Sequence, residues 1–196
     1  MYDFLEGPIE EISPTHVVVN CQGMGFFINI SVNTYEQIRG MKQARIKIHQ
    51  VIKEDSHTLF GFAKDDERQT FRHLISISGV GATTARMILS SLTEKEVIQA
   101  ILSGNVALLT SVKGIGPKAA QRIVLELKDK VGKGIGGGSG GLLSSSSSSA
   151  YNEALDALMA LGFNRLQTEK TLIKVSQDLG AEAVTETLIK NCLKLL

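Results

Sequence analysis

Two short turns hold the residues best suited to chemistry with an anion. Gly79-Val80-Gly81 lies within LISISGVGATTARMIL, and Gly114-Ile115-Gly116 lies 35 residues further on, within LLTSVKGIGPKAAQRIVLEL. In each, the first glycine permits φ > 0 and a sharp reversal, and the second removes the side chain that would hold an anion off the backbone. If a helix starts at such a turn, its exposed N–H groups join the positive end of the macrodipole and make a phosphate site that reads no base. Lys118 and Arg122, in the first turns after the second hinge, add positive charge on one face. Thr83 offers only a hydroxyl at the first. Val80 and Ile115 are expected to pack beneath the hairpins and hold their shape. The candidate phosphate-binding residues are therefore Gly79, Gly81, Thr83, Gly114, Gly116, Lys118 and Arg122.

Two ordinary tight turns between helices would explain either hinge alone. Recurrence in the same setting favours binding of nucleic-acid backbone, and so does the local charge. Residues 66–131 hold 9 Lys+Arg against 6 Asp+Glu, whereas residues 1–65 hold 6 against 8 and residues 132–196 hold 6 against 6. The formal net charge of +1 says nothing of this by itself. A dinucleotide fingerprint is excluded, because the sixth positions are Thr84 and Ala119 and both hinges follow helices instead of strands. No G-x-x-x-x-G-K-[ST] sequence occurs, so the chain lacks a P-loop.

The elements that must position these turns follow from periodicity. Over residues 1–63, HVVVN, GFFINISV, ARIKIHQVI and HTLFGF are rich in β-branched and aromatic residues, with turns expected at Ser13-Pro14, Gln22-Gly23 and Asn33. A unit this short must close to bury its edges, which predicts a small β-barrel of the OB type. Over 64–131 the period is helical. Thr93-Glu94-Lys95-Glu96 has capping-box spacing, Gly104 suits a helix end, Asn105 can cap a short helix and Pro117 can open a longer one. Residues 132–150, GKGIGGGSGGLLSSSSSSA, cannot bury enough surface to offset the entropy of ordering, and read as a flexible linker. Residues 151–196 predict three amphipathic helices, with Ala154, Leu155, Leu158 and Leu161 on the first. The fold class is thus multidomain α+β: barrel, all-helical centre with an internal repeat, and small three-helix unit.

Other features exclude function classes. No apolar run approaches the roughly 20 residues of a membrane span, and MYDFLEGPIE has no leader-peptide pattern, so a cytoplasmic location is expected. Cys21 and Cys192 read as reduced core residues, and His16, His49, His57 and His73 lack the spacing of a metal site. Neither a metal nor a cofactor is expected. Glu54-Asp55, within VIKEDSHTLFGF, is expected at a hairpin tip, where a solvated turn is the plain reading.

SGVGATTAR and KGIGPKAAQR resemble tandem helix-hairpin-helix motifs, and their order after a small barrel is similar to the RuvA family of Holliday junction-binding proteins. LEGPIEEI, GMGFFINI, VIKEDSHTLFGF, LKDKVGK and ALMALGF extend the resemblance over essentially the whole chain. It implies a homotetramer, singly or in pairs, that holds a four-way junction open, with a C-terminal domain resembling ubiquitin-associated domains engaging the RuvB ATPase motor. The RuvC junction resolvase is a further partner implied. The resemblance makes Glu54 and Asp55 an acidic pin near the tetramer centre, where carboxylates repel phosphates and favour an open crossover over continuous duplex. It makes Leu158, Leu161 and Phe163 contacts to the motor, with Phe163 standing where tyrosine is commoner.

The first hairpin departs from the family pattern: Gly81-Ala82-Thr83 replaces Gly-Pro-Lys, which predicts a weaker site unless Arg86 supplies the charge. The rival reading is a DNA glycosylase or nuclease. Its acidic candidates, Glu126 and Asp129, fall on a charged helix face without a second carboxylate cluster, so no catalytic residue is assigned. An adaptor built on the C-terminal unit would leave the paired hairpins unexplained.

Overall fold

Alternating apolar residues build the N-terminal sheet. In the computed structural model, which describes residues 1–134, 146–179 and 183–196, β1 (Phe4–Ser13), β2 (His16–Cys21), β3 (Met24–Ile30), β4 (Gln43–Ile52) and β5 (His57–Phe62) close into a barrel. Its strand order is β1-β2-β3-β5-β4, with β3 and β5 parallel. Val17, Val19, Ile28, Ile30, Ile46 and Ile48 point inward at the spacing of two and are buried. This is the expected OB-type barrel.

One element departs from the sequence reading. Asn33 does not form a turn; it lies in α1 (Val32–Ile38), whose N-cap Ser31 accepts from the Thr34 N–H. The Asn33 amide instead donates to the carbonyls of Leu89, at 2.6 Å, and Leu92, at 3.0 Å. The Ser31-x-x-Thr34 cap was the local signal for this helix, hidden beside a strand-like neighbour.

The helical repeat follows in α2 (Asp65–Ile75), α3 (Ala82–Ser91), α4 (Glu94–Ser103), α5 (Val106–Thr110) and α6 (Pro117–Gly134). Thr93 and Glu96 close the capping box, Gly104 ends α4 at φ 70, and Asn105 Oδ1 accepts from the Leu108 N–H at 3.0 Å. Barrel and repeat share one unit, Met1–Gly138, and are joined by buried polar groups. Glu67 on α2 accepts from the hydroxyls of Ser31 and Thr34, the latter at 2.7 Å. Burial pushes its carboxyl above the usual carboxylate range, although both hydroxyls oppose this. Arg68 donates to Asp3 at 2.7 Å, to Asp65 and to the Ile48 carbonyl at 3.4 Å.

Helix occupies both ends of the 132–150 segment read as linker, since α6 runs to Gly134 and α7 (Ser146–Ala160) starts within the serine run; residues 135–145 lie outside the described residues. The second unit comprises α7, α8 (Arg165–Leu179) and α9 (Thr185–Cys192). Its core is Ala154, Leu155, Leu158, Leu172, Val175, Leu188 and Cys192. Cys192 is buried as expected, but Cys21 is half-buried at the end of β2. Among the described residues, no helix is long and apolar enough to cross a membrane.

Candidate nucleic-acid interface

The two hairpins have the same construction. Gly79 and Gly114 take φ 90 and 89, values that favour glycine. The Val80 N–H donates to Ile77 O at 3.0 Å, and the Ile115 N–H donates to Val112 O at 3.1 Å. Each following helix begins alike, with Ala85 N–H donating to Gly81 O at 2.9 Å and Ala120 N–H to Gly116 O at 3.0 Å. Beneath them Leu74, Ile77, Val80, Ala85, Ile88 and Leu92 are buried, and so are Leu109, Val112, Ile115, Ala120, Ile123 and Leu127, each 35 residues later. The apolar residue of each hinge therefore packs under its own turn as expected.

The second glycines differ in kind from the first. Gly81 has φ −81, Gly116 is outside the left-handed region, and a Cβ built at either would meet nothing within 4 Å. Packing and backbone geometry both admit a side chain there. What glycine preserves is access to the backbone from outside. No side chain caps α3 at Gly81, so the N–H groups of Ala82, Thr83 and Thr84, ahead of the first intrahelical bond, have no acceptor within the helix. The second hairpin offers Lys118 and Ala119 in the same way, Pro117 having no N–H.

Charge is distributed less evenly. Lys118 is exposed and makes no ion pair with the described residues, and Lys113, just before Gly114, is exposed as well. Thr83 is exposed, and Ser78 stands where the second hairpin has Lys113. Arg86, the sequence candidate for charge at the first hairpin, turns away: its Nη1 donates to Asn29 Oδ1 at 2.9 Å and to Thr15 O at 3.2 Å, fastening α3 to the barrel. Burial lowers its pKa from the usual arginine value. Arg122 reaches in the other direction. Its Nη1 donates to Ser78 O at 3.0 Å, at the opposite hairpin, while its Nε lies 3.3 Å from Glu126. Glu126, an acidic candidate of the enzyme reading, is thereby an ion-pair partner on a helix surface; the Asp129 side chain lies outside the described residues.

Glu54 and Asp55 are exposed in the β4–β5 hairpin, which the Lys53 N–H closes by donating to Ser56 O at 2.8 Å. In the second unit, Leu161 is 62% exposed at the end of α7, and Phe163 is half-buried just past Gly162. Leu158 is fully buried, so it supports that turn from within and offers no surface of its own. Leu166, 70% exposed in the first turn of α8, was missed in the sequence because a lone leucine near a helix start carries no periodic signal. Among the described residues no cluster of His, Cys, Asp or Glu could hold a metal ion.

Residues 1–61 match the model of the RuvA N terminal domain, residues 71–129 that of a SAM-like helix-hairpin-helix tandem, and residues 149–196 that of the RuvA C-terminal domain. The chain belongs to the RuvA family. It is 47% identical over 196 residues to the Holliday junction branch migration complex subunit RuvA of Christiangramia forsetii, covering all of both chains. The subunits of the same name from Flavobacterium psychrophilum and Bacteroides fragilis are 43% identical over 196 residues and 40% over 202, again over all of each chain. The three matches follow one another along the chain in the order of barrel, tandem hairpins and C-terminal helices.

Proposed function

We propose that this chain is the non-catalytic, junction-binding subunit of a branch-migration complex, recognising four-way DNA by the placement of its phosphates and not by sequence. The observation that carries this reading is the pair of matched hairpins whose second glycines are required by neither packing nor φ. Two such sites in a pseudo-twofold repeat suit the two strands of a duplex arm. Each presents backbone N–H groups at a helix start, so affinity falls steeply with salt and is indifferent to base sequence. Gly79 and Gly114 shape the turns; Gly81, Gly116, Thr83 and Lys118 face the phosphates.

In a homotetramer, four arms meet four copies of this surface, and the Glu54 and Asp55 hairpins gather at the crossover. Their carboxylates repel phosphate there, disfavouring a continuous duplex and leaving the centre open. Exposed Phe4, Met24 and Phe27 on the barrel are available to subunit contacts, alone or between paired tetramers. The C-terminal unit recruits the RuvB ATPase motor through Leu161, Phe163 and Leu166, with residues 132–150 as the connection; ATP hydrolysis belongs to the motor. The RuvC junction resolvase is a further partner in this reading.

Competition between a synthetic four-way junction and linear duplex of the same arm sequences, without metal or ATP, tests the assignment. The wild type is expected to prefer the junction, also with scrambled arms. The double variant Gly81→Leu, Gly116→Leu is expected to lose binding while keeping its melting temperature and oligomeric state. Full junction affinity in that variant would remove the hairpins from the interface.

A further inference from the structure

We infer that Arg122 serves the first hairpin, although the helix of the second carries it: its guanidinium is the cation that meets a phosphate held at Gly79–Gly81. This rests on reading the hairpins as phosphate sites, and it reassigns a residue whose position in the sequence places it with Lys118.

Three observations converge. First, the second hairpin is supplied with charge by its own Lys113 and Lys118, while the residues at the matching positions of the first, Ser78 and Thr83, are neutral. Arg86, the nearest cation in α3, is committed to Asn29 and Thr15 of the barrel. The first turn therefore has no cation of its own. Second, Arg122 lies against that turn. Its Nη1 is 3.0 Å from Ser78 O and 4.0 Å from where a Gly79 Cβ would stand. Third, the residue equivalent to Arg122 in the repeat is Met87, and it makes the reciprocal contact: its Cε lies 3.8 Å from where a Gly114 Cβ would stand. Each helix thus reaches across to the first glycine of the other hairpin. The crossing side chain is apolar where the receiving turn has lysines and cationic where it has none.

Arg122 can carry this role without leaving its place. The guanidinium has five N–H donors in a planar fork, of which the Ser78 carbonyl and Glu126 engage only some. The side chain is 53% exposed, and its i,i+4 partner Glu126 is a surface pair that a phosphate can displace. A charge-assisted contact to phosphate oxygens uses the donors that remain. The Ser78 bond holds the fork over the turn, so one residue couples hairpin spacing to charge.

The test is a salt titration of junction binding by the full chain. Arg122→Met, which copies Met87, is expected to flatten the dependence of log affinity on log salt by about 0.9, the value for one phosphate contact. The gap between wild type and variant then narrows about 3.5-fold between roughly 50 and 200 mM salt. Arg122→Lys retains most of the slope. In combination, the loss caused by Arg122→Met is expected to disappear in a Gly81→Leu background and persist in a Gly116→Leu background. The reverse coupling overturns the inference, as does an unchanged slope with only a lowered melting temperature, which identifies a brace and nothing more. Wild-type affinity in both single glycine variants would instead bring down the hairpin reading beneath it, and is recognisable without Arg122.

Discussion

The two hairpins are alike inside and unlike outside. Buried positions repeat at a spacing of 35, from Leu74 and Leu109 to Leu92 and Leu127, and the φ values of the first glycines agree within a degree. The outward positions have diverged. In the first repeat Glu67, Arg68 and Arg86 are turned to the barrel, whereas the matching Leu102, Ser103 and Gln121 are exposed. The second repeat keeps Lys113 and Lys118 at the surface. The half that docks commits Glu67, Arg68 and Arg86 to the joint, and the other half keeps Lys113 and Lys118 for solvent or a ligand. Packing preserves the repeat, and docking breaks its symmetry.

The equivalence of the interiors can be challenged most severely with Ile88→Ala and Ile123→Ala. Both side chains are fully buried, and each truncation is expected to cost about 2–5 kcal/mol in chemical denaturation. A loss confined to one of them would show that the two halves do not share one kind of core. A smaller effect sharpens the contrast outside. Thr83→Lys gives the first hairpin the lysine of the second and is expected to steepen the salt dependence of junction binding by about 0.9, and to restore the slope lost in Arg122→Met. If the slope stays as it is in both backgrounds, position 83 does not face phosphate.

The smallest effect concerns the docking side alone. Burial holds the folded Glu67 carboxyl above its ordinary value, so the folded chain binds this proton more tightly than the unfolded chain. Its contribution to stability is complete below the ordinary carboxylate range and fades as pH rises through the raised value. Glu67→Gln is expected to flatten that decline in melting temperature from about pH 4.5 upward, the ordinary value being 4.5. An undiminished decline would place its origin in another group.

Much of this architecture is legible locally. The capping box at Thr93, the end of α4 at Gly104, the opening of α6 at Pro117 and the hairpin tip at Glu54-Asp55 each depend on neighbours within a few residues, and each is found as the sequence predicts. Helix α1 is the exception, because its cap lies against a β-branched run that reads as strand. The linker reading is cut back at both ends by α6 and α7, since glycine and serine disfavour helix without forbidding it next to a formed turn.

By itself, then, the sequence determined the hinges, the repeat and the barrel, because these rest on short-range φ preferences and on periods of two and 3.6 residues, and the order of its motifs carried the family resemblance. Only the tertiary structure decided where the long side chains go. Arg86 turned to the barrel, Arg122 to the other hairpin, Leu158 to the core and Leu161 to the surface, though nothing in their spacing distinguishes these fates. The physical reason is reach. Periodicity fixes the face on which a residue stands, but a flexible side chain on the border of that face goes to whichever carbonyl or apolar surface a distant part of the chain brings near.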